Sequence, residues 1–486
     1  MRCNKADDML IYEKSRPGRV GFSLPRTQRD ETVVDGLIPG KFLRATPPPL
    51  PEISEAELVR HYIELSTRNH HIDKGFYPLG SCTMKYNPKV NDYTASLPGF
   101  AQLHPLSPAD DCQGALELMY NLSAMLAAIT GFARATLQPV AGAHGELTGL
   151  LVMRAAMIKR GNIRRKIIIP DSAHGTNPAS VVIAGYDVVQ VVSTAGGTLT
   201  ADDVARVMDE ETAGIMITNP NTLGLFESEI EAIARVVHDA GGLLYMDGAN
   251  LNALLGQVKP ADMGYDVLHF NLHKTFSTPH GGGGPGAGAL AVTQELVPFL
   301  PKPVIEKDGN RYYLDDDRPD SIGRMHSFYG NFANMVRAYT YIRHLGAAGL
   351  KRVADHAVLN ANYLKELLKG KYELPHDTLC MHEFVLSGSR QKKRGARTAD
   401  IAKRLLDFGV HAPTIYFPLI VSEALMIEPT ETETKETLDR FAAIMLQIDR
   451  EIDENLDLVL SAPHDTPVRR LDEVQATKTL DVCYKE

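Results

Sequence analysis

The sequence predicts a doubly wound α/β domain followed by a smaller α+β region, and three observations carry that reading. First, the apolar runs Ile167–Ile169, Val188–Val192, Gly214–Ile217, Leu243–Met246, Val267–Phe270 and Gly288–Val292 are continuous rather than alternating, broken only at Gln190 and His269. Such runs mark strands buried on both faces of a parallel or mixed sheet. Second, amphipathic helical segments separate them, among them Ala201–Asp209 and Glu229–Ala240, the latter closed by Gly241 and Gly242. Third, four of the runs are followed by hydrogen-bonding or ionisable residues: PDSAHGTNP, TNPNTLG, DGANLNA and NLHKTFSTPH. Open α/β sheets bind ligands beyond the carboxyl ends of their strands, so these segments point to one crevice.

Taken in order, residues 1–50 are polar, rich in Arg and Pro, and end at Pro47–Pro51; they read as an extended arm or a disordered tail. The first 19 residues lack the apolar stretch of a secretory signal, and Asp7, Asp8 and Glu13 interrupt a transit-peptide pattern. Ser54 with Glu57 forms a capping box that opens a helix to about Leu65. The irregular segment STRNHHIDKGFYPLGSCTMKYNPKV follows, long enough to suggest a functional loop. A helix spans about Gln113–Ile129, with Leu116, Met119, Tyr120, Ser123 and Leu126 on its period. A helix near Phe332–Leu345 leads into further helices near 350–368, 398–408 and 432–453, with Arg390–Arg397 as a solvated loop. The expected division is 1–100 (arm and irregular segment), 101–330 (large α/β domain) and 331–486 (small α+β domain). No internal repeat is visible.

Composition excludes several functions. With 44% apolar and 23% charged residues over 486 positions, the chain holds a sizeable core and is not disordered as a whole. A net charge of −9 without a basic patch disfavours nucleic acid and anionic membrane as partners. No run of 18 apolar residues offers a membrane span. The cysteines Cys3, Cys82, Cys112, Cys380 and Cys483 are scattered and form no CxxC, so neither a disulfide framework nor a zinc site is expected. A soluble cytoplasmic protein is the expectation.

The chemistry concentrates after the fifth run. Lys274 follows a buried strand, flanked by His273 and Thr275 and then by Gly281–Gly284. A lysine so placed acts as an amine nucleophile toward a carbonyl when it is desolvated. Asp247 ends the preceding strand and suits a protonated ring nitrogen; Ala249, two positions on, offers a methyl to one ring face. These are the parts needed to hold pyridoxal phosphate. The turn Gly142–Gly145, including Ala143 and His144, runs into a helix from Glu146 and suits the phosphate. His174, in its AHGTNP turn, either stacks on the other ring face or is simply hydrogen-bonded there. Rival motifs fail: Gly281, Gly283 and Gly286 match GxGxxG, but Pro285 interrupts them and a strand follows. GGGGPG lacks a P-loop ending, His269 and His273 lack the HExxH glutamate, and no GxSxG occurs.

The segments YPLGSCTMKYNP, QPVAGAHGELTGL, DSAHGTNPAS, TNPNTLGLFE, YMDGANLNALLG, NLHKTFSTPHGGGGPG and HAPTIYFP resemble the glycine dehydrogenase (decarboxylating) family, the P-proteins of the glycine cleavage system. The resemblance runs in order over roughly residues 60–470. It implies the type I (aspartate aminotransferase-like) fold of pyridoxal phosphate enzymes. It further implies decarboxylation of glycine, release of CO2 and transfer of the aminomethyl group to the oxidised lipoyl arm of H-protein. The length is similar to that of the separate cofactor-bearing half, subunit 2, which pairs with a homologous subunit 1, with an α2β2 assembly expected. By the same resemblance Lys274 carries pyridoxal phosphate, Asp247 meets its ring nitrogen, the Gly142–Gly145 turn holds its phosphate and His174 stacks on the ring. Ser81, Cys82, Thr83, His411 and Thr414 then lie at the mouth of the site. The constellation of Asp247 and Lys274 alone also fits other type I reactions, an amino-acid decarboxylase or a cysteine desulfurase. A non-catalytic scaffold subunit is a further reading, against which the intact pair speaks.

Overall fold

The computed structural model describes residues 9–23, 37–281 and 286–484. Residues 282–285 of the glycine run, and residues 1–8 and 24–36 of the expected arm, lie outside the described residues. The chain divides into two compact units, one of residues up to 74 with those from 465 onward, the other Gly75–His464.

In the first unit the helix is Glu55–Arg68, one turn longer than its sequence pattern suggests. The Ser54 hydroxyl donates to the Glu57 carboxylate at 2.8 Å and accepts from the Glu57 N–H at 3.4 Å. Both partners of the capping box are thus in place. The described part of the arm is tied back: Arg16 N–H donates to Glu52 O at 2.9 Å, and Glu52 N–H to Ser15 Oγ at 2.8 Å.

The second unit is built on a seven-stranded sheet: β1 (Arg134–Thr136), β2 (Lys166–Pro170), β3 (Asp187–Val191), β4 (Thr212–Thr218), β5 (Leu243–Gly248), β6 (Val267–Asn271) and β7 (Gly288–Val292). Their order is β1-β7-β6-β5-β4-β2-β3, parallel except that β7 runs antiparallel to both its neighbours. Along β5, Leu244 and Met246 enter a core shared with the helix Gln113–Thr130. Leu243 and Tyr245 enter the opposite core, shared with the helix Gly142–Lys159. Alternate side chains leave opposite faces of a strand, and both faces here are covered, which is why the runs are continuously apolar.

The edge strand departs from that reading. β3 is largely exposed, Val188 included, because it has only β2 beside it. Two further features carried no apolar run: the short β1, and a hairpin of β8 (Val304–Asp308) with β9 (Arg311–Asp315).

The helical segment Phe332–Leu368 breaks at Gly346 (φ 60°, ψ −177°), dividing it near the two helices expected there. A three-stranded antiparallel sheet follows, β10 (Phe384–Ser387), β11 (Thr414–Ile415) and β12 (Ala424–Ile427), in the order β10-β12-β11. It packs with the helices Thr398–Asp407 and Lys435–Glu454 around Phe384, Leu425, Phe441 and Met445. The stretch Arg390–Arg397 is not a solvated loop. Ser389–Lys393 is helical, Gln391 is buried and donates to Asp449 at 2.7 Å, and Arg394 pairs with Asp449 and Asp453. Of the basic residues in this run, Arg394 is paired with the last long helix and Lys392 with Glu423. Among the described residues no helix is long and apolar enough to cross a membrane.

Candidate active site

The carboxyl ends of β2, β4, β5 and β6 bring the singled-out polar segments to one edge of the sheet. Asp247 is next to last on β5 and is 2% exposed. Its register partner on β6 is His269, whose Nε2 lies 3.1 Å from Asp247 Oδ1. Ala249 N–H donates to the same oxygen at 2.9 Å, and Asn177 Nδ2 donates to Oδ2 at 3.0 Å. Burial works to push the Asp247 carboxyl up, but the His269 charge and these hydrogen bonds hold it well below the usual carboxylate range. Burial likewise works against the His269 cation, and Asp247 overrides it, raising His269 above its ordinary value. The other ring nitrogen, Nδ1, lies 3.1 Å from the Tyr245 hydroxyl, which donates to Gly145 O at 3.2 Å. With the tyrosine proton so used, a doubly protonated imidazole satisfies both contacts. Three donors on the carboxylate leave one lone-pair position of Asp247 unused.

Asn177 is placed by a second carboxylate. Glu146 accepts from Thr176 Oγ1 at 2.7 Å and Ser180 Oγ at 2.8 Å, joining the helix Gly142–Lys159 to the helix Thr176–Ile183.

The glycines at 142 and 145 do not form a turn. They are the first turn of an 18-residue helix whose N-cap, Ala141, makes no side-chain cap. A Cβ at 142 would come within 2.3 Å of Asn271 Oδ1, and one at 145 within 3.0 Å of His269 Cβ. Glycine is needed because the helix lies flush on the end of β6. The N–H groups of an uncapped first turn are what an anion requires. His144 turns back on its own segment, accepting from Val140 N–H at 3.2 Å, and burial lowers its basicity.

Lys274 lies on a single helical turn, Leu272–Thr275, directly after β6. Its Nζ donates to Ser81 O at 2.7 Å. His273 lies beside Ala287, with Nδ1 3.0 Å from Ala287 O, and stands edge-on to His280 with ring centres 5.0 Å apart. Burial first, and then the charge of Lys274, pushes His273 down to about 4. His174 is exposed, with Nδ1 2.9 Å from Thr176 Oγ1 and its ring edge-on to Phe417.

The segment expected at the mouth does meet Lys274. Ser81 and Thr83 are left-handed (φ 66° and 47°), which exposes their N–H groups to two buried carboxyls. Ser81 N–H donates to Glu383 at 2.7 Å and Thr83 N–H to Glu428 at 2.9 Å. Thr414 Oγ1 donates to Gly80 O at 2.8 Å, while His411 stacks on Tyr77 at 4.0 Å. Lys85, in the same segment, is buried; its Nζ donates to Thr275 O at 2.8 Å, Asn252 Oδ1 at 2.9 Å and Glu431 at 2.9 Å. That ties the residue after Lys274 to the loop beyond β12.

His269, Glu146, Asn177, Glu383 and Glu428 were not singled out from the sequence. His269 was legible in principle, since it follows Asp247 by one parallel strand and alternates inward on β6. Glu383 and Glu428 border strands of the small sheet, and nothing local links them to Ser81 and Thr83.

Against known families, residues 28–311 match the model described as glycine cleavage system P-protein. Residues 353–467 match that of the glycine dehydrogenase C-terminal domain. The chain is similar to the probable glycine dehydrogenase (decarboxylating) subunit 2 of Chlorobium phaeobacteroides, 60% identical over 98% of this chain and 99% of that one. The protein of the same description from Pelodictyon phaeoclathratiforme is 59% identical over 98% and 99%. Among solved structures, an inhibitor-bound glycine decarboxylase (P-protein) of the glycine cleavage system superposes with a TM-score of 0.73 at 20% identity, covering 87% of this chain and all of that one.

Proposed function

The chain belongs to the glycine cleavage system P-protein family, and from that premise we propose that it is the cofactor-bearing subunit 2 of a two-subunit glycine decarboxylase. It has the type I fold of pyridoxal phosphate enzymes and is an enzyme of glycine decarboxylation. In the proposed reaction glycine loses CO2 and its aminomethyl group passes to the oxidised lipoyl arm of H-protein. The observation that carries the reading is the 60% identity over 98% of the chain to a probable glycine dehydrogenase (decarboxylating) subunit 2, with a buried Asp247 at the end of β5 and Lys274 just beyond β6 on the same sheet edge.

The residues present fit pyridoxal phosphate. Asp247 has one lone-pair position left, is charged, and so suits a protonated ring nitrogen. The helix from Gly142 begins without a side-chain cap, which suits a phosphate held by N–H groups of Gly142, Ala143 and His144. Buried polar atoms on this edge, Asn271 Oδ1, Asn177 Oδ1 and His280 Nε2, have no partner among the described residues. Lys274 would bind the cofactor carbonyl, Ala249 and His174 would flank the ring, and His273 would border the phosphate side. When bound, the cofactor serves as the electron sink that makes decarboxylation of an amino acid feasible.

The chain's own residues then have definite work. His269 keeps Asp247 charged, so that a proton is retained on whatever ring nitrogen it faces. Ser81 O holds the Lys274 amine until it is displaced. Ser81, Cys82, Thr83, His411 and Thr414 line the approach for glycine and the lipoyl arm. The partners are a homologous subunit 1, in an α2β2 assembly, and lipoylated H-protein; the location is cytoplasmic.

The test is glycine–bicarbonate carbon exchange with lipoylated H-protein, with and without subunit 1. The expected result is exchange that requires H-protein and is restored to this chain by subunit 1. Absence of exchange with all components present and pyridoxal phosphate bound would overturn the assignment.

A further inference from the structure

Outside the Asp247 network, the two fully buried carboxyls of Glu383 and Glu428 are not used by the reaction as described. Each is completely removed from solvent, and each accepts one backbone N–H from the turn that covers Lys274. They flank one end of an antiparallel strand pair: Glu383 precedes β10 and Glu428 follows β12, beside the register partners Phe384 and Ile427. Polar atoms of Glu383, Glu428 and the buried His382 approach within 4.8 Å of each other. Glu428 Oε1 and both His382 nitrogens have no hydrogen-bond partner among the described residues.

We propose that Glu383 and Glu428 are positioning residues that close the Ser81–Thr83 turn over Lys274, and that opening of the turn releases a proton from this pair. Two carboxyls so close, without water, cannot both ionise at modest cost. The groups facing them are few. Lys274 acts on both from the turn after β6, Cys82 from the covering turn, and Glu431, itself paired with Lys85, from beyond β12. His382 beside them is driven down to about 3, chiefly by burial, and so carries no compensating charge. Burial pushes Glu428 up to about 7 and Glu383 well above the usual carboxylate range.

In this proposal the turn, whose Ser81 and Thr83 N–H groups meet the pair, shields them from water. If it lifts, the carboxyls are hydrated and return toward an ordinary value near 4.5. A group whose value is raised in the closed form favours closure when protonated. Opening therefore becomes easier as the pH rises above about 4.5, until both groups are ionised in the closed form as well. The left-handed conformations of Ser81 and Thr83 add to this, since such backbone persists only where its surroundings hold it. Because Ser81 O occupies the Lys274 amine, the same event frees the amine.

That consequence for Lys274 rests on the functional reading above, but the turn can be tested without substrate. Amide hydrogen exchange of residues 78–85 is measured in the full chain, with and without pyridoxal phosphate, from pH 5 to 8. It is corrected for intrinsic exchange and referred to β5 as an internal control. The expected result is opening that increases at least tenfold between pH 5 and 7. E383Q/E428Q, which keeps an oxygen for each of the two N–H groups but cannot ionise, should stay closed at every pH, whereas E428A should be open throughout. Should E428A not fold, wild type and E383Q/E428Q suffice. A flat wild-type profile, or a slope retained in E383Q/E428Q, would overturn the proposal. The expected exchange profile together with an absence of glycine turnover would count against the functional reading alone.

Discussion

His269 Nε2 stands 3.1 Å from Asp247 Oδ1, and the two residues are register partners on adjacent parallel strands. The contact makes the charge on Asp247 a property of the sheet's register. Replacing His269 by Gln should leave a buried carboxylate without its counter-charge, a loss of about 3–5 kcal/mol by analogy with other broken buried pairs. Unfolding by denaturant measures it, and the D247N/H269Q double variant should lose less than the sum of the two single variants.

The same pair sets a pH window. The His269 value is raised, so its contribution to stability is full below 6.5 and is lost as pH rises through the raised value. The Asp247 value is depressed, so its contribution is present above 3.8 and is lost as pH falls through the depressed value. Stability from the pair should be greatest between these limits. In H269Q the decline on the alkaline side should be smaller than in wild type; an unchanged alkaline limb would mean the histidine is not charged.

Lys274→Ala should abolish the visible absorbance of bound pyridoxal phosphate and all carbon exchange. Borohydride reduction followed by peptide mapping identifies the modified lysine in the wild type. Fixation at any lysine other than 274 contradicts the assignment.

Asp247→Asn should retain pyridoxal phosphate but exchange glycine carboxyl at least tenfold more slowly, about 1.4 kcal/mol in barrier. Turnover near the wild-type rate, with an unchanged spectrum, would place the partner of the ring nitrogen elsewhere.

Gly142→Ala would force a Cβ to 2.3 Å from Asn271 Oδ1. Overpacking of this kind costs about 1–3 kcal/mol. Adding Asn271→Ala removes the obstructing oxygen and should recover most of the loss; a double variant as unstable as G142A would show that the helix start, and not the contact, is at fault.

Much of the fold was legible because the central strands are buried on both faces, so the runs at 214–217 and 243–246 are apolar without interruption and that at 267–270 is broken only by His269. Val188 misled for the same reason in reverse: an apolar residue on an edge strand looks no different in sequence from one at the centre. Lys274 and Asp247 were legible because a charged residue at or just beyond the end of a buried strand stands out locally. Gly142 and Gly145 were noticed, but as a turn. That they serve close packing on Asn271 and His269 depends on residues more than a hundred positions away.

By itself, then, the sequence determined which residues bring donors, acceptors and an amine to the sheet edge, since element type and strand ends follow from local hydrophobic pattern. Only the tertiary structure decided their states. Asp247 is held charged because register sets His269 beside it, and Glu383 and Glu428 are driven toward their protonated forms because the small sheet buries them together beneath one turn. The physical reason is that ionisation depends on desolvation and on charges a few ångströms away, and those distances are set by packing between distant segments rather than by spacing along the chain.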